Sequence, residues 1–113
     1  MSNALQKDVI DALKARDAWC IKIMQANENG CPDILACVRG RFWGIEIKSG
    51  EDKLSPIQHE QLCRIIEVGG VGIVVGSDVY HAGRLTKQII KLSEREVYPL
   101  AVNFDGFLQE LGK

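Results

Sequence analysis

Residues 30–50, GCPDILACVRGRFWGIEIKSG, carry two runs rich in β-forming residues on either side of Gly40. Runs 33–39 and 41–48 read as the strands of a hairpin. Its turn falls at Arg39-Gly40 or Gly40-Arg41, because tight hairpin turns need the positive φ that glycine adopts without strain. The charges are placed oddly for strands that only fill a core. Asp33 opens the first strand, and Glu46 and Lys48 stand two residues apart in the second, so both project to one face while Ile47 faces the core. A turn at Arg39-Gly40 sets Asp33 opposite Glu46; a turn at Gly40-Arg41 sets it opposite Lys48. Either register gathers the three charges on one face, within about 5–8 Å of each other.

The flanking sequence supplies the rest of a layered fold. Upstream, residues 5–16 place Leu5, Val9, Ala12 and Leu13 on one helical stripe. WCIKIMQA, residues 19–26, alternates enough to form a strand that joins the hairpin as a meander. Downstream, Ser55 is a helix N-cap, Pro56 takes the first helical position and Gln58 the third. Ile57, Leu62, Ile65 and Ile66 form that helix's expected buried face, and Gly69-Gly70 ends it. The continuous apolar run VGIVVGS, residues 71–77, reads as a centrally buried strand. GRLTKQIIKLSE (83–94) is expected to be helical and NFDGFLQELGK (103–113) a short helical tail. The order is α-β-β-β-α-β with a C-terminal helical extension. A helix between two buried strands implies a crossover, hence an α/β fold with a mixed central sheet flanked by helices.

Composition bounds the function. A chain of 113 residues with 46% hydrophobic and 26% charged residues suits a single domain, with a core over about 5–76 and an extension over about 83–113. No apolar run approaches the roughly 18 residues of a membrane helix, and the polar, amphipathic start is unlike a signal peptide; the expectation is a cytoplasmic protein. Cys20, Cys31, Cys37 and Cys63 have no CxxC spacing, which argues against a zinc cage and for small apolar side chains in a reducing compartment. A net charge of −1 offers nucleic acid no general attraction, so any binding must use a local patch. Lys22, Arg39, Arg41 and Lys53 are candidates for phosphate contact, and solubilising charge is the plainer reading of each.

Two carboxylates at hairpin distance repel, which raises at least one pKa unless a cation lies between them. Mg²⁺ favours oxygen ligands, commonly one or two carboxylates with waters and a phosphate oxygen. A neighbouring lysine can hold a water and offset phosphate charge. The set suits metal-assisted phosphodiester hydrolysis. Against it stands an ion-pair trio on the exposed face of an edge hairpin, energetically minor.

Pro32-Asp33 followed by Glu46-Ile47-Lys48 resembles the PD-(D/E)xK nuclease motif. The wider stretch, GxPD at 30–33, the hairpin ending in EIK, a basic loop, LSxxQ at 54–58 and the GG helix end, resembles the VRR-NUC (virus-type replication-repair nuclease) family over roughly residues 5–76. That resemblance implies a restriction-endonuclease-like core of order αβββαβ. It further implies a Mg²⁺- or Mn²⁺-dependent DNA endonuclease, structure-specific for branched or junction DNA and resolvase-like, acting in replication, repair or recombination. Its expected setting is a bacterial or phage-encoded protein in a bacterial host. Asp33 and Glu46 would be the metal carboxylates, the backbone carbonyl of Ile47 a further ligand, Lys48 the residue that orients the attacking water, and Gln58 a partner of the water or of Lys48. Gln58 also completes a capping box with Ser55, and the two roles are compatible. One position departs from the pattern: Gln6 stands on the first helix where the family commonly has a glutamate. An amide is a poorer ligand for a hard cation, so the alternative is a catalytically impaired DNA-binding module on the same fold. Two symmetric cuts would require a homodimer. Leu85, Ile89, Ile90, Leu92, Phe104, Phe107 and Leu108 would supply either its interface or core cover.

Overall fold

A computed structural model describes residues 4–94 and 96–113. In chain order the elements are α1 (Ala4–Ala15), β1 (Trp19–Lys22), β2 (Ile34–Val38), β3 (Arg41–Ile47), α2 (Pro56–Glu67), β4 (Val71–Val75), α3 (Val79–Leu92), β5 (Leu100–Val102) and α4 (Phe104–Leu111). The strands form one five-stranded sheet in the order β1-β2-β3-β4-β5. The first three are an antiparallel meander. β3 pairs parallel with β4 and β4 with β5, reached through α2 and α3 as crossovers.

The hairpin turn falls at Arg39-Gly40, since Val38 pairs with Arg41 and Ile34 with Ile45. Both turn residues have positive φ, 49° and 79°, the backbone twist that matches right-handed strands. Arginine bears steric strain there. Its guanidinium offsets this by donating at 2.8 Å to the Leu111 carbonyl and 2.7 Å to that of Lys113, at the end of α4.

Alternation along the strands splits the molecule into two layers. One sheet face carries Ile34, Ala36, Val38, Trp43, Ile45, Ile47, Ile73 and Val75, sealed by Val9, Ala12 and Leu13 of α1 and by Phe107 and Leu111 of α4. Trp43 meets Phe107 edge to face, ring centres 6.1 Å apart. The other face is covered by α2 and α3, where Leu54, Leu62, Val74, Leu85 and Ile89 form a smaller cluster. α2 lies close on the sheet because Gly72 has no side chain; a Cβ there would stand 2.8 Å from the Leu62 carbonyl oxygen.

Several expectations need correction. β1 is shorter than residues 19–26: its pairing ends once Ile23 N has donated to the Asp33 carbonyl, and residues 24–29 run on as an exposed loop. The inward face of α2 is His59, Leu62 and Cys63, with Ile65 and Ile66 half-buried and Ile57 exposed at the first turn. The region after 83 is not wholly helical. α3 begins at Val79, capped by Asp78, and β5 follows it as a fifth strand. Of the residues put forward for a dimer interface, Leu85, Ile89 and Phe107 are core, while Ile90 stays exposed. Cys63 is buried and the other three cysteines are half-buried, all as free thiols.

Candidate active site

β3 is the central strand, and Glu46 near its carboxyl end is 2% exposed, Lys48 just beyond it 9%. The exposed ion-pair reading therefore fails: these charges lie beneath α2, between β2 and β4. The Arg39-Gly40 turn continues the register so that Asp33 faces Glu46. The Asp33 Oδ2 accepts a hydrogen bond from Ile47 N at 2.8 Å, and its carboxyl faces that of Glu46 across the β2–β3 pair.

The pair is electrostatically strained. Burial pushes the Glu46 pKa up to about 9; the hydrogen bond to Asp33 and the Asp33 charge add to the rise, and Lys48 opposes it. A protonated carboxyl thus lies where a bound cation would favour a carboxylate. The Glu46 Oε2 is buried with no hydrogen-bond partner, an arrangement native interiors ordinarily avoid. Burial and the nearby carboxylates also raise the thiol pKa of Cys31, two residues before Asp33.

Lys48 is held from the α2 side. Its Nζ donates to Gln58 Oε1 at 2.9 Å, and the same oxygen accepts from Ser55 N at 2.9 Å. Ser55 Oγ accepts from Gln58 N, which completes the capping box. Gln58 therefore performs both roles at once, capping the start of α2 and fixing the lysine. The backbone of Lys48 donates to the Val75 carbonyl at 2.9 Å, anchoring it to β4.

A search of family profiles finds no match for the sequence, nor does a search of curated proteins. Solved structures do match. A VRR_NUC domain superposes with a TM-score of 0.57 and 28% identity, over 82% of this chain and 94% of that one. The chain folds as a VRR-NUC-type domain. A Holliday junction resolvase of Archaeoglobus fulgidus, at 24% identity and a TM-score of 0.50, shares the fold over 64% of each chain. The VRR-NUC match extends well beyond a nuclease motif, and the restriction-endonuclease-like layering anticipated from the sequence is the layering observed.

On this VRR-NUC frame Asp33, Glu46, Ile47, Lys48 and Gln58 come together. Lys22, whose partner in β1–β2 is Ile34, lies at the same end of the sheet, and Lys53 lies on the loop between β3 and α2. Arg39 and Arg41 do not join them. They sit at the hairpin tip, about 17 Å along β3 from Glu46 at strand rise, and each is tied to a helix end, Arg41 Nε donating to the Gly69 carbonyl at 3.1 Å. Gln6 occupies the first turn of α1, half-buried. The sequence reading missed two side chains that hold the site loop. Gln88 pairs with both backbone groups of Leu54, at 2.8 and 3.0 Å. His81 Nε2 bonds to the Asp52 carbonyl at 2.8 Å. Neither was legible, because nothing local marks a helix residue that reaches back 29 or 34 positions.

The donor chemistry fits a hard cation. Two carboxylates converge, one oxygen lacks a partner, and such ions commonly take one or two carboxylates with water and phosphate oxygens. Among the described residues no group of three or more His, Cys, Asp or Glu is arranged to hold a metal ion, and none of the described helices is long and apolar enough to cross a membrane.

Proposed function

We propose that this chain is a metal-dependent DNA endonuclease, structure-specific for branched DNA. The observation that carries the reading is the Asp33–Glu46 pair, Glu46 buried with an unpartnered Oε2, beside a lysine held in place by Gln58. Asp33 and Glu46 would hold Mg²⁺ or Mn²⁺, with the Ile47 carbonyl as a further ligand. When bound, such a cation supplies a Lewis acid for the phosphodiester and makes water more acidic. Lys48 is placed to hold the attacking water and to offset phosphate charge. Gln58 fixes the rotamer of Lys48 and so limits the orientations that water can take. Lys22 and Lys53, at the same end of the sheet, suit contacts to flanking phosphates. The likeness to a Holliday junction resolvase favours branched substrates, and a pair of symmetric cuts would use two copies of the chain.

Incubation with duplex, flap, fork and four-way junction DNA, with and without Mn²⁺, tests the reading. We expect cation-dependent cleavage that favours a branched form and falls at least about 100-fold in Lys48→Ala, the scale of losing a positioned water-activating group. Gln6→Glu probes the first helix. Cleavage only after that change assigns the natural chain to the impaired, DNA-binding reading; no cleavage by either form defeats the enzyme reading.

A further inference from the structure

Among the described helices, α3 is the one whose charged residues are all basic. VYHAGRLTKQIIKL carries Arg84, Lys87 and Lys91 with no acidic residue, in a chain of net charge −1. Their spacing of three and four positions makes a single stripe along the helix. All three are exposed. None forms an ion pair or hydrogen bond among the described residues, whereas Lys7 on α1 is bonded to Asp11 at 2.7 Å.

The stripe borders a cavity of about 560 Å³ between α3 and the loop that follows Lys48, with Lys53 on the loop side and Leu85 among its lining residues. Two acids, Glu51 and Asp52, also line it, and the Asp52 Oδ2 is turned toward Ser49 N at 3.4 Å. The loop is fixed to α3 at two points on either side of Lys53. Ser77 N donates to His81 Nδ1 at 3.2 Å, which places the ring proton on Nε2, where it is given to the Asp52 carbonyl. Gln88 then grips Leu54 through two hydrogen bonds. Lys53 is thus presented across the groove from the α3 stripe. The loop itself begins at Lys48 and ends at Ser55, whose capping partner holds Lys48.

We infer that this groove is a track for the phosphates of a DNA strand outside the scissile position, with Lys53, Arg84, Lys87 and Lys91 as its contacts. The inference rests on the nuclease reading and extends it to the path of the substrate. Arg84 to Lys91 rise about 10 Å along the helix, which matches about three steps of one strand at 3.4 Å each. The loop leaves β3 and α3 leaves β4 at the carboxyl ends of these parallel strands, where open α/β sheets bind ligands.

Binding of fluorescent junction and duplex DNA is measured in EDTA, so that nothing is cut, over a series of salt concentrations. Cleavage is measured separately in Mn²⁺. For Arg84→Gln, Lys87→Gln, Lys91→Gln combined, we expect affinity to fall at least about tenfold. The slope of log K against log salt should shrink by about 2–3, at roughly 0.9 per phosphate contact. A matched control removes Lys7, Lys14 and Arg16 on the opposite layer, and should leave the slope unchanged. Thermal melting checks that both triple variants fold. If the α3 variant and the control lose affinity equally, net charge alone is responsible and the track is overturned. The track is likewise overturned, with the nuclease reading intact, if the α3 variant binds and cuts as the natural chain does. If the natural chain neither binds nor cuts any of the DNAs, the nuclease reading fails first.

Discussion

Glu46 lies buried on the central strand, on the side that α2 covers. Its neighbours in the chain are apolar, and its burial follows from the strands and helix packed around it. Because its folded pKa is about 9 against an ordinary 4.5, the folded metal-free protein holds a proton that the unfolded chain releases. Stability from this group is therefore fully present below about pH 4.5 and is lost as pH rises toward 9. We expect the melting temperature in EDTA to fall across that window, by the equivalent of a few kcal/mol. Glu46→Gln should flatten the profile, and Mg²⁺ should restore stability at the alkaline end, since the cation replaces the proton. A flat profile in the natural chain would mean that Glu46 is charged when folded. Gln58 illustrates a different point at the same scale. Its capping role is readable from Ser55 three positions earlier, but its bond to Lys48 depends on where α2 lands on β3.

The elements differ in how far their own residues explain them. α2 is spelled out locally: cap, proline at the first position, reciprocal glutamine and a glycine end. Its buried face is not, because Ile57 looks as suitable as Leu62 until Gly72 and Gly44 open the surface on which the helix rests. Gly72→Ala should displace α2 and cost about 1–3 kcal/mol, as overpacking does. Chemical denaturation checks the stability, and a parallel loss of cleavage would show that Lys48 moves with the helix. β5 lay below the threshold of pattern reading. Three residues after Pro99 carry too little alternation to register, and only the edge of β4 makes them a strand. Hydrophobic pattern starts α3 at Gly83, four residues late, because the start is set by the Asp78 cap.

At the scale of the molecule, the C-terminal segment is part of the structure and not an appendage. Phe107 and Leu111 are fully buried in the same cluster as Val9 and Leu13, and the chain end accepts the Arg39 bonds that hold the hairpin turn. Phe107→Ala should destabilise the whole domain by about 3–5 kcal/mol, with a single cooperative transition in urea. A separate early transition for α4 would contradict one shared core. The same layering places Asp33, Glu46 and Lys48 on the α2–α3 face, opposite α1, and leaves the basic stripe of α3 beside the loop that leaves the site.

The sequence by itself determined that Asp33, Glu46 and Lys48 share a face, because side chains alternate along a strand whichever turn closes the hairpin. It also determined the element order through α2 and β4, since caps, turns and hydrophobic period are local properties. Tertiary structure decided the register, through an arginine whose strained turn is compensated by the far end of the chain. It decided as well that Glu46 is desolvated, because the β4 strand and the α2 and α3 helices that shut out water fold back from residues well beyond it in sequence.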